Sequence, residues 1–208
     1  MNVELLAITP DAEKLIEAAG RTAYLSFGKQ GAGSEKKFIR MLLKNRHHSV
    51  LEHASATFRI TGVSRAMTHQ LVRHRLCSFT QQSQRYVNEK DFGFVEPESV
   101  RKNEAAHRLY IDFIGAAKKV YVSLQDMGIM NEDARFVLPN AVESQIVVSA
   151  NFREWRHIIE LRGKHGSQWE VRKVVLEILR LLKKQVPAAF EDLEIDDDDS
   201  KVGKAEDF

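Results

Sequence analysis

Ala54-Ser55-Ala56-Thr57-Phe58-Arg59-Ile60-Thr61 alternates apolar and polar side chains without a break. Successive side chains of an extended chain point to opposite faces. The stretch is therefore expected to be a half-buried strand, with Ala54, Ala56, Phe58 and Ile60 inward. A second short β-branched run, S-Q-I-V-V-S-A at 144–150, is a second strand candidate. Elsewhere the period changes to that of helices. Thr9-Pro10 can open a helix carrying Ala12, Leu15, Ile16 and Ala19, with Gly20 at its end. Gly28 to Gly33 reads as a loop, and Ser34 can cap a helix with Phe38, Met41 and Leu42 on one face. Residues 64–74 read as helix and Phe79–Tyr86 as loop. The longest helix is expected over 99–127, where Leu109, Phe113, Ala117, Val120 and Leu124 recur at helical spacing before Gly128. Asn151 can cap a helix to Arg162. Ser167 and Glu170 have capping-box spacing ahead of a helix bearing Val171, Val174, Val175, Ile178, Leu182 and Val186, which stops at Pro187. Strands do not alternate regularly with helices, so the expected class is α+β: one domain, with a mainly antiparallel sheet flanked by long helices.

The chain has 208 residues, 43% of them hydrophobic and 29% charged, which suits a folded domain with its own core. No apolar run approaches the ~18–20 residues of a membrane span. Asp11, Glu13 and Lys14 break the N-terminal stretch before an apolar core forms, so no secretory signal is expected. The single cysteine, Cys77, excludes an internal disulfide and a multi-cysteine zinc site, and a reducing, cytoplasmic setting fits. The net charge of +2 is unevenly spread. Residues 191–208 hold 9 acidic residues and 2 lysines, leaving 29 basic against 20 acidic residues in 1–190, a balance of +9. The expected division is a basic folded domain over 1–190 and an acidic, disordered tail over 191–208, whose residues 195–208 should be dispensable for activity. A basic body suits anionic ligands, either nucleotides or nucleic acid.

The densest polar block runs from His69 to Tyr86, H-Q-L-V-R-H-R-L-C-S-F-T-Q-Q-S-Q-R-Y. Arg73, Arg75 and Arg85 each offer a rigid fork of donors suited to phosphate, and no carboxylate interrupts the block. Ser78, Ser83, Gln70, Gln81, Gln82 and Gln84 can read a heterocycle by neutral hydrogen bonds. On these residues alone, a nucleotide site and a basic surface paired with distant carboxylates stand equal. Five of the eight histidines lie between 47 and 74. With no H-E-x-x-H and no cysteine set, no metal site is expected. Cys77 beside Arg75 reads better as a small buried residue than as a nucleophile, and no G-x-S-x-G elbow is present. No helix-turn-helix, RRM or zinc-finger signature appears, so small-molecule ligands are expected rather than nucleic acid.

Arg73-His74-Arg75, seven residues, then Ser83-Gln84-Arg85-Tyr86 resembles the R-H-R-x7-S signature of the flavin-dependent thymidylate synthases. Leu51-Glu52-His53, Ala134-Arg135-Phe136-Val137-Leu138-Pro139, Asn151 with Arg153, Leu161-Arg162 and Ser167-Gln168-Trp169-Glu170 follow in the matching order. The resemblance spans roughly 20–190.

The resemblance implies conversion of dUMP to dTMP, with methylenetetrahydrofolate as one-carbon donor, NADPH as reductant and FAD as the relay. It also implies a homotetramer with active sites shared between subunits. The matching positions imply FAD contacts from His53, Ser55, Arg73, His74, Arg75, Gln81, Asn151, Phe152, Arg153 and His157. They imply dUMP contacts from Gln70, Leu71, Val72, Arg73, Gln81, Gln82, Ser83, Gln84, Arg85, Arg135 and Arg162. Arg162 matches the arginine that promotes ionisation of the uracil ring and is the expected catalytic residue. Ser83 is assigned to substrate binding, because no adjacent general base is evident. Gln81 stands where some members carry Glu, and His157 where some carry Asn; both retain hydrogen-bonding capacity.

Overall fold

The computed structural model describes residues 1–196 and 201–204. In chain order the elements are β1 (Asn2–Ile8), α1 (Ala12–Thr22), α2 (Ser34–Lys44), β2 (Ser55–Ser64), α3 (Arg65–Leu71), β3 (Ser78–Gln81), α4 (Glu98–Arg101), α5 (Glu104–Asp126), α6 (Asn131–Ala134), β4 (Glu143–Asn151), α7 (Phe152–Arg162), α8 (Trp169–Gln185), α9 (Pro187–Phe190), β5 (Leu193–Asp196) and β6 (Lys201–Lys204). Short 3-10 turns lie at Phe27–Lys29, His48–His53 and Arg135–Val137.

The 54–61 alternation is the centre of the fold. Strand β2 pairs antiparallel with both β1 and β4, and β3 adds to β4, giving a sheet of order β1-β2-β4-β3. Ala54, Ala56, Phe58 and Ile60 are buried, as are Ile146, Val148 and Ala150 of β4. Helices α7 and α8 supply the opposing layer through Trp155, Ile158, Ile159, Val171, Val174, Val175, Ile178, Leu179 and Leu182. Phe58 meets Trp155 edge to face at 5.1 Å, and the Trp155 indole N–H donates to Ala56 O at 3.0 Å. The outer face of the sheet keeps its polar residues, with the Thr57 and Ser149 hydroxyls 2.8 Å apart. The ladder shifts register between Ile60 and Val63, where Gly62 takes φ 65°, a conformation that favours glycine. The α+β class with an antiparallel sheet and long helices is therefore observed.

Several local expectations are corrected. Helix α1 runs through Gly20 because the Phe38 ring packs where a Cβ would stand, 2.5 Å away. Gly33, not Ser34, is the N-cap of α2; the Ser34 hydroxyl instead bonds the buried Glu17 carboxylate. The buried face of α2 is Ile39, Leu42 and Leu43, with Met41 exposed. Residues 78–81, expected as loop, form β3, since the β4 edge offers them a ladder. The expected Ser167 capping box is absent. Gln168 caps α8, and Glu170 is drawn to the backbone N–H and hydroxyl of Ser64, at 2.7 and 2.5 Å. Residues 99–127 break at Asn103, which caps α5. The α5 stripe chosen from periodicity is largely outward: Leu109, Phe113 and Val120 are 73, 55 and 47% exposed, while Ile114, Ala117 and Tyr121 are buried.

The disordered acidic tail is also corrected where the structure describes it. Strands β5 and β6 pair, Leu193 is fully buried, and Asp192 is buried against Arg156. Val202 N–H donates to Gly163 O at 2.9 Å, one residue past Arg162. Apolar residues at 193, 195 and 202, set among the acids, are what the charge count overlooked. Asp197 to Asp199 lie outside the described residues.

Candidate functional site

Three chain segments converge at the two ends of α7. Asn151 ends β4 opposite Ser55 of β2, and its side chain accepts from Glu154 N–H at 2.8 Å, starting α7. That junction sets Ser55, Asn151 and the exposed Arg153 and His157 near the preceding His48–His53 turn. The α3 C-terminus then delivers Arg73-His74-Arg75, with His74 N–H held on Leu71 O. His74 is buried beside α7: its ring lies 5.8 Å from that of His157, and its Nδ1 is 3.5 Å from the Glu154 carboxylate. Arg162, in the last turn of α7, donates from Nε to His74 Nε2 at 3.0 Å and from Nη2 to Gln70 O at 3.3 Å.

A cleft of about 640 Å³ opens along this face, lined by His48, Glu52, Asn151, Arg153, Glu154 and His157 among others. Its size is that of a small-molecule or cofactor site. Arg153 is held by Glu52 at 2.5 Å. Among the described residues, Arg73, Arg75 and Arg162 have no carboxylate partner, so three guanidinium charges stay uncompensated. Of the two readings left equal by the sequence, the nucleotide or anion site suits Arg73 and Arg75, whereas Arg85 and Arg153 do pair, with Glu132 at 2.7 Å and with Glu52.

The remaining expected substrate residues form a second group. Gln81 donates to Thr68 at 2.9 Å and to Ser144 at 3.3 Å. Gln82 donates to Glu89 at 2.9 Å, and Gln84 is buried. Ser83 Oγ accepts from Arg85 N–H at 3.2 Å. Arg135 is tied to Glu132 O at 3.1 Å. Leu71 and Phe152 are fully buried in the core, so only their backbone can meet a ligand. Val72 and His53 are exposed.

The sequence reading missed Arg65, Glu52, Glu89 and Glu154. Burial, then the charge of Arg135, lower the Arg65 pKa, which identifies a second electropositive spot at the start of α3. Glu89 is raised by burial. Glu52 stood inside the quoted Leu51-Glu52-His53, and Glu154 follows Asn151 at the capping distance, but neither carries a spacing signal of its own. The Cys77 thiol is pushed up to about 12 by burial and by the charge of Glu154, so no thiolate forms. His74, Glu154 and His157 each bring one possible metal-ligand atom within 4.8 Å of the others. His74 Nε2 is already engaged by a guanidinium, and that positive charge opposes a cation in the same place.

Burial, then Arg162 and His157, push the His74 pKa down from 6.5 to about 4. Between these values the unfolded chain binds a proton that the folded chain refuses. Stability is therefore lost as pH falls from about 6.5 to about 4, and the loss is complete below 4. Thermal melts across this window are expected to fall more steeply for the parent than for His74→Gln; parallel curves would remove His74 as the cause.

Comparison with known proteins identifies the family. Residues 4–188 match the family model described as thymidylate synthase complementing protein. A flavin-dependent thymidylate synthase of Geobacter sulfurreducens is 44% identical over 200 residues, 92% of this chain and 86% of that protein. Its namesake in Nitratidesulfovibrio vulgaris is 41% identical, over 90% and 84%. The crystal structure of thymidylate synthase X from Helicobacter pylori with FAD and dUMP shares the fold, with a TM-score of 0.79 at 24% identity, covering 92% of this chain and 98% of that one. With the R-H-R segment, the α7 cap and Arg162 meeting at one face of a fold shared over nearly its whole length, the chain belongs to the family of flavin-dependent thymidylate synthases.

Proposed function

We propose that the protein is a cytoplasmic thymidylate synthase that reductively methylates dUMP to dTMP, with 5,10-methylenetetrahydrofolate as one-carbon donor and NADPH as reductant of bound FAD. The observation that carries it is a cleft of cofactor size whose lining residues Glu154 and His157 contact His74, which stands between Arg73 and Arg75 and bonds Arg162; among the described residues none of these three arginines has a carboxylate partner. The cleft fits a flavin nucleotide in its donors: Asn151, Arg153 and His157 border it, with Arg75, Ser55 and His53 exposed at its approaches. These residues, with Arg73, His74, Gln81 and the Phe152 backbone, would hold FAD, which supplies hydride chemistry when bound. Gln70, the Leu71 and Val72 backbone, Arg73, Gln81, Gln82, Ser83, Gln84, Arg85 and Arg135 would hold dUMP. Within that set Arg85 and Arg135 clamp the phosphate, where two forked cations match its oxygens.

Methylation at C5 requires the pyrimidine to act as a carbon nucleophile, and negative charge then spreads over the ring. Arg162, oriented by His74 and Gln70 O and, among the described residues, paired with no carboxylate, stabilises that charge. Cys77 supplies no nucleophile, in keeping with its raised pKa. Among the described residues no helix is long and apolar enough to cross a membrane.

The expected assembly is a homotetramer with shared sites; the outward apolar stripe of α5 supports self-association. Phe113→Asp is expected to lower the assembly mass seen by light scattering; an unchanged mass would count against α5 as the contact. The catalytic reading is tested by the visible spectrum of the purified protein, followed by anaerobic NADPH with and without dUMP. A flavin band that bleaches faster with dUMP, then dTMP formation on adding the folate, is expected. A protein that takes up no FAD would refute the reading.

A further inference from the structure

We propose that Glu154 is a positioning residue, fixing the tautomer of His74 and through it the orientation of the Arg162 guanidinium. The proposal rests on the reading above, in which Arg162 acts on the uracil ring.

A guanidinium has only donors, so Arg162 Nε–H, 3.0 Å from His74 Nε2, requires a lone pair on that nitrogen. A neutral imidazole has one N–H and one lone pair. Its proton must then sit on Nδ1. That nitrogen faces Glu154 Oε1 at 3.5 Å, and the two side chains are only 4 and 8% exposed. Burial and the adjacent cation keep His74 neutral, so the tautomer is the variable left to set. If the proton moved to Nε2, two N–H groups would point at each other and Arg162 would lose its anchor on this side. Its remaining tie is the longer contact to Gln70 O.

Glu154 is well placed to prevent this. Its own N–H is capped by Asn151, and it lies on the face of α7 that meets His74. Burial raises its pKa, but carboxylate and carboxylic acid alike keep an oxygen with a lone pair facing Nδ1–H, a polar contact at 3.5 Å that is longer than a hydrogen bond. A group that orients a histidine whose other nitrogen does the work is a recurrent arrangement. Here the histidine's other nitrogen holds an arginine. A metal ion on His74, Glu154 and His157 is the rival use of the same atoms. It would need Nδ1 without its proton, which the Arg162 contact forbids.

The test compares the parent with Glu154→Gln and Glu154→Leu. Glutamine keeps an accepting carbonyl oxygen; leucine does not. Nitrogen-15 NMR of histidine-labelled protein, with the His74 signals assigned through His74→Asn, reads the tautomer directly. The parent and the glutamine variant are expected to show Nδ1–H, with turnover within about threefold of each other. The leucine variant is expected to lose Nδ1–H and to fall in kcat per bound flavin by about 10- to 100-fold, with KM for dUMP little changed; the correction per flavin is needed because Glu154 lines the cleft. An Nε2–H tautomer in the parent, or parental kcat in the leucine variant, overturns the proposal. Where the leucine variant does not fold, the tautomers of the parent and the glutamine variant decide. A parent that makes no dTMP refutes the thymidylate synthase reading, while the tautomer comparison still stands.

Discussion

Replacing Arg162 with alanine is expected to lower dTMP turnover by about 10²- to 10³-fold while bound flavin is retained. The size follows from removing a preorganised donor aimed at charge that develops in the transition state. Arg162 has the features such a donor needs: one side-chain and one backbone anchor and, among the described residues, no carboxylate to absorb its charge. Flavin should remain because, of the expected flavin contacts, only His74 bonds Arg162, while Asn151 starts α7 about 16 Å away at 1.5 Å per residue. Arg162→Lys should recover only part of the loss, since an ammonium keeps the charge but not the planar fork. The measurements are dTMP by chromatography and visible absorbance of the purified variants. Full turnover in Arg162→Ala would remove the residue from the chemistry, and a colourless variant would make it a cofactor ligand instead.

What could be read of this site from the chain was its list of donors; what could not was their pairing. Arg73, Arg75, Asn151 and Arg162 stand in a pattern that the family resemblance makes legible, and among the described residues the three arginines have no carboxylate partner. Glu154 was not legible. A glutamate beside a tryptophan on a helix normally reads as solvated surface, yet here it is buried, with His74 from the segment after α3 against it. Arg85 looked free for lack of a nearby acid in sequence, yet Glu132, 47 residues on, reaches it. Arg65 carries no signal in the sequence, because its closeness to Arg135 exists only in three dimensions.

The fold divides in the same manner. The 54–61 alternation predicts β2 because burial on one face leaves a mark of period two. Its exposed face stays polar in sequence and structure alike. Strand β3 is only four residues long and has partly exposed side chains, so its sole signal is the free edge of β4. Helix α5 shows the converse error. Its periodicity is strong, but the stripe that periodicity selects faces outward in the single chain. Hydrophobic spacing reports that a face is covered, not whether the cover comes from the same chain. A homotetramer would reconcile the two.

The tail gives the second large effect. Asp192→Ala is expected to destabilise the fold by about 3–5 kcal/mol, because it strands a buried guanidinium. Arg156 sits on α7 with a side chain 5% exposed, and Asp192 faces it bidentately at 8%. Arg156 also donates to Ala189 O at 2.6 Å, its Nε has no partner among the described residues, and the remaining carboxylate, Glu160, stands 3.8 Å away and is 37% exposed, so the charge is only weakly compensated once Asp192 is gone. The paired replacement Arg156→Met with Asp192→Leu removes both charges and should recover much of the loss, as buried ion pairs exchanged for apolar residues commonly do. Thermal melting of the two single variants and the pair measures the coupling. A single-variant loss below about 1 kcal/mol, the range of exposed pairs, would mean that Arg156 finds water or another partner. The same result bears on the segment beyond. Asp192 leads directly into β5, whose Leu193 is buried and whose partner strand holds Gly163 next to Arg162. Weakening this anchor should therefore lower the thermal midpoint and loosen the C-terminal end of α7 together, so the acidic segment cannot be treated as an inert appendage.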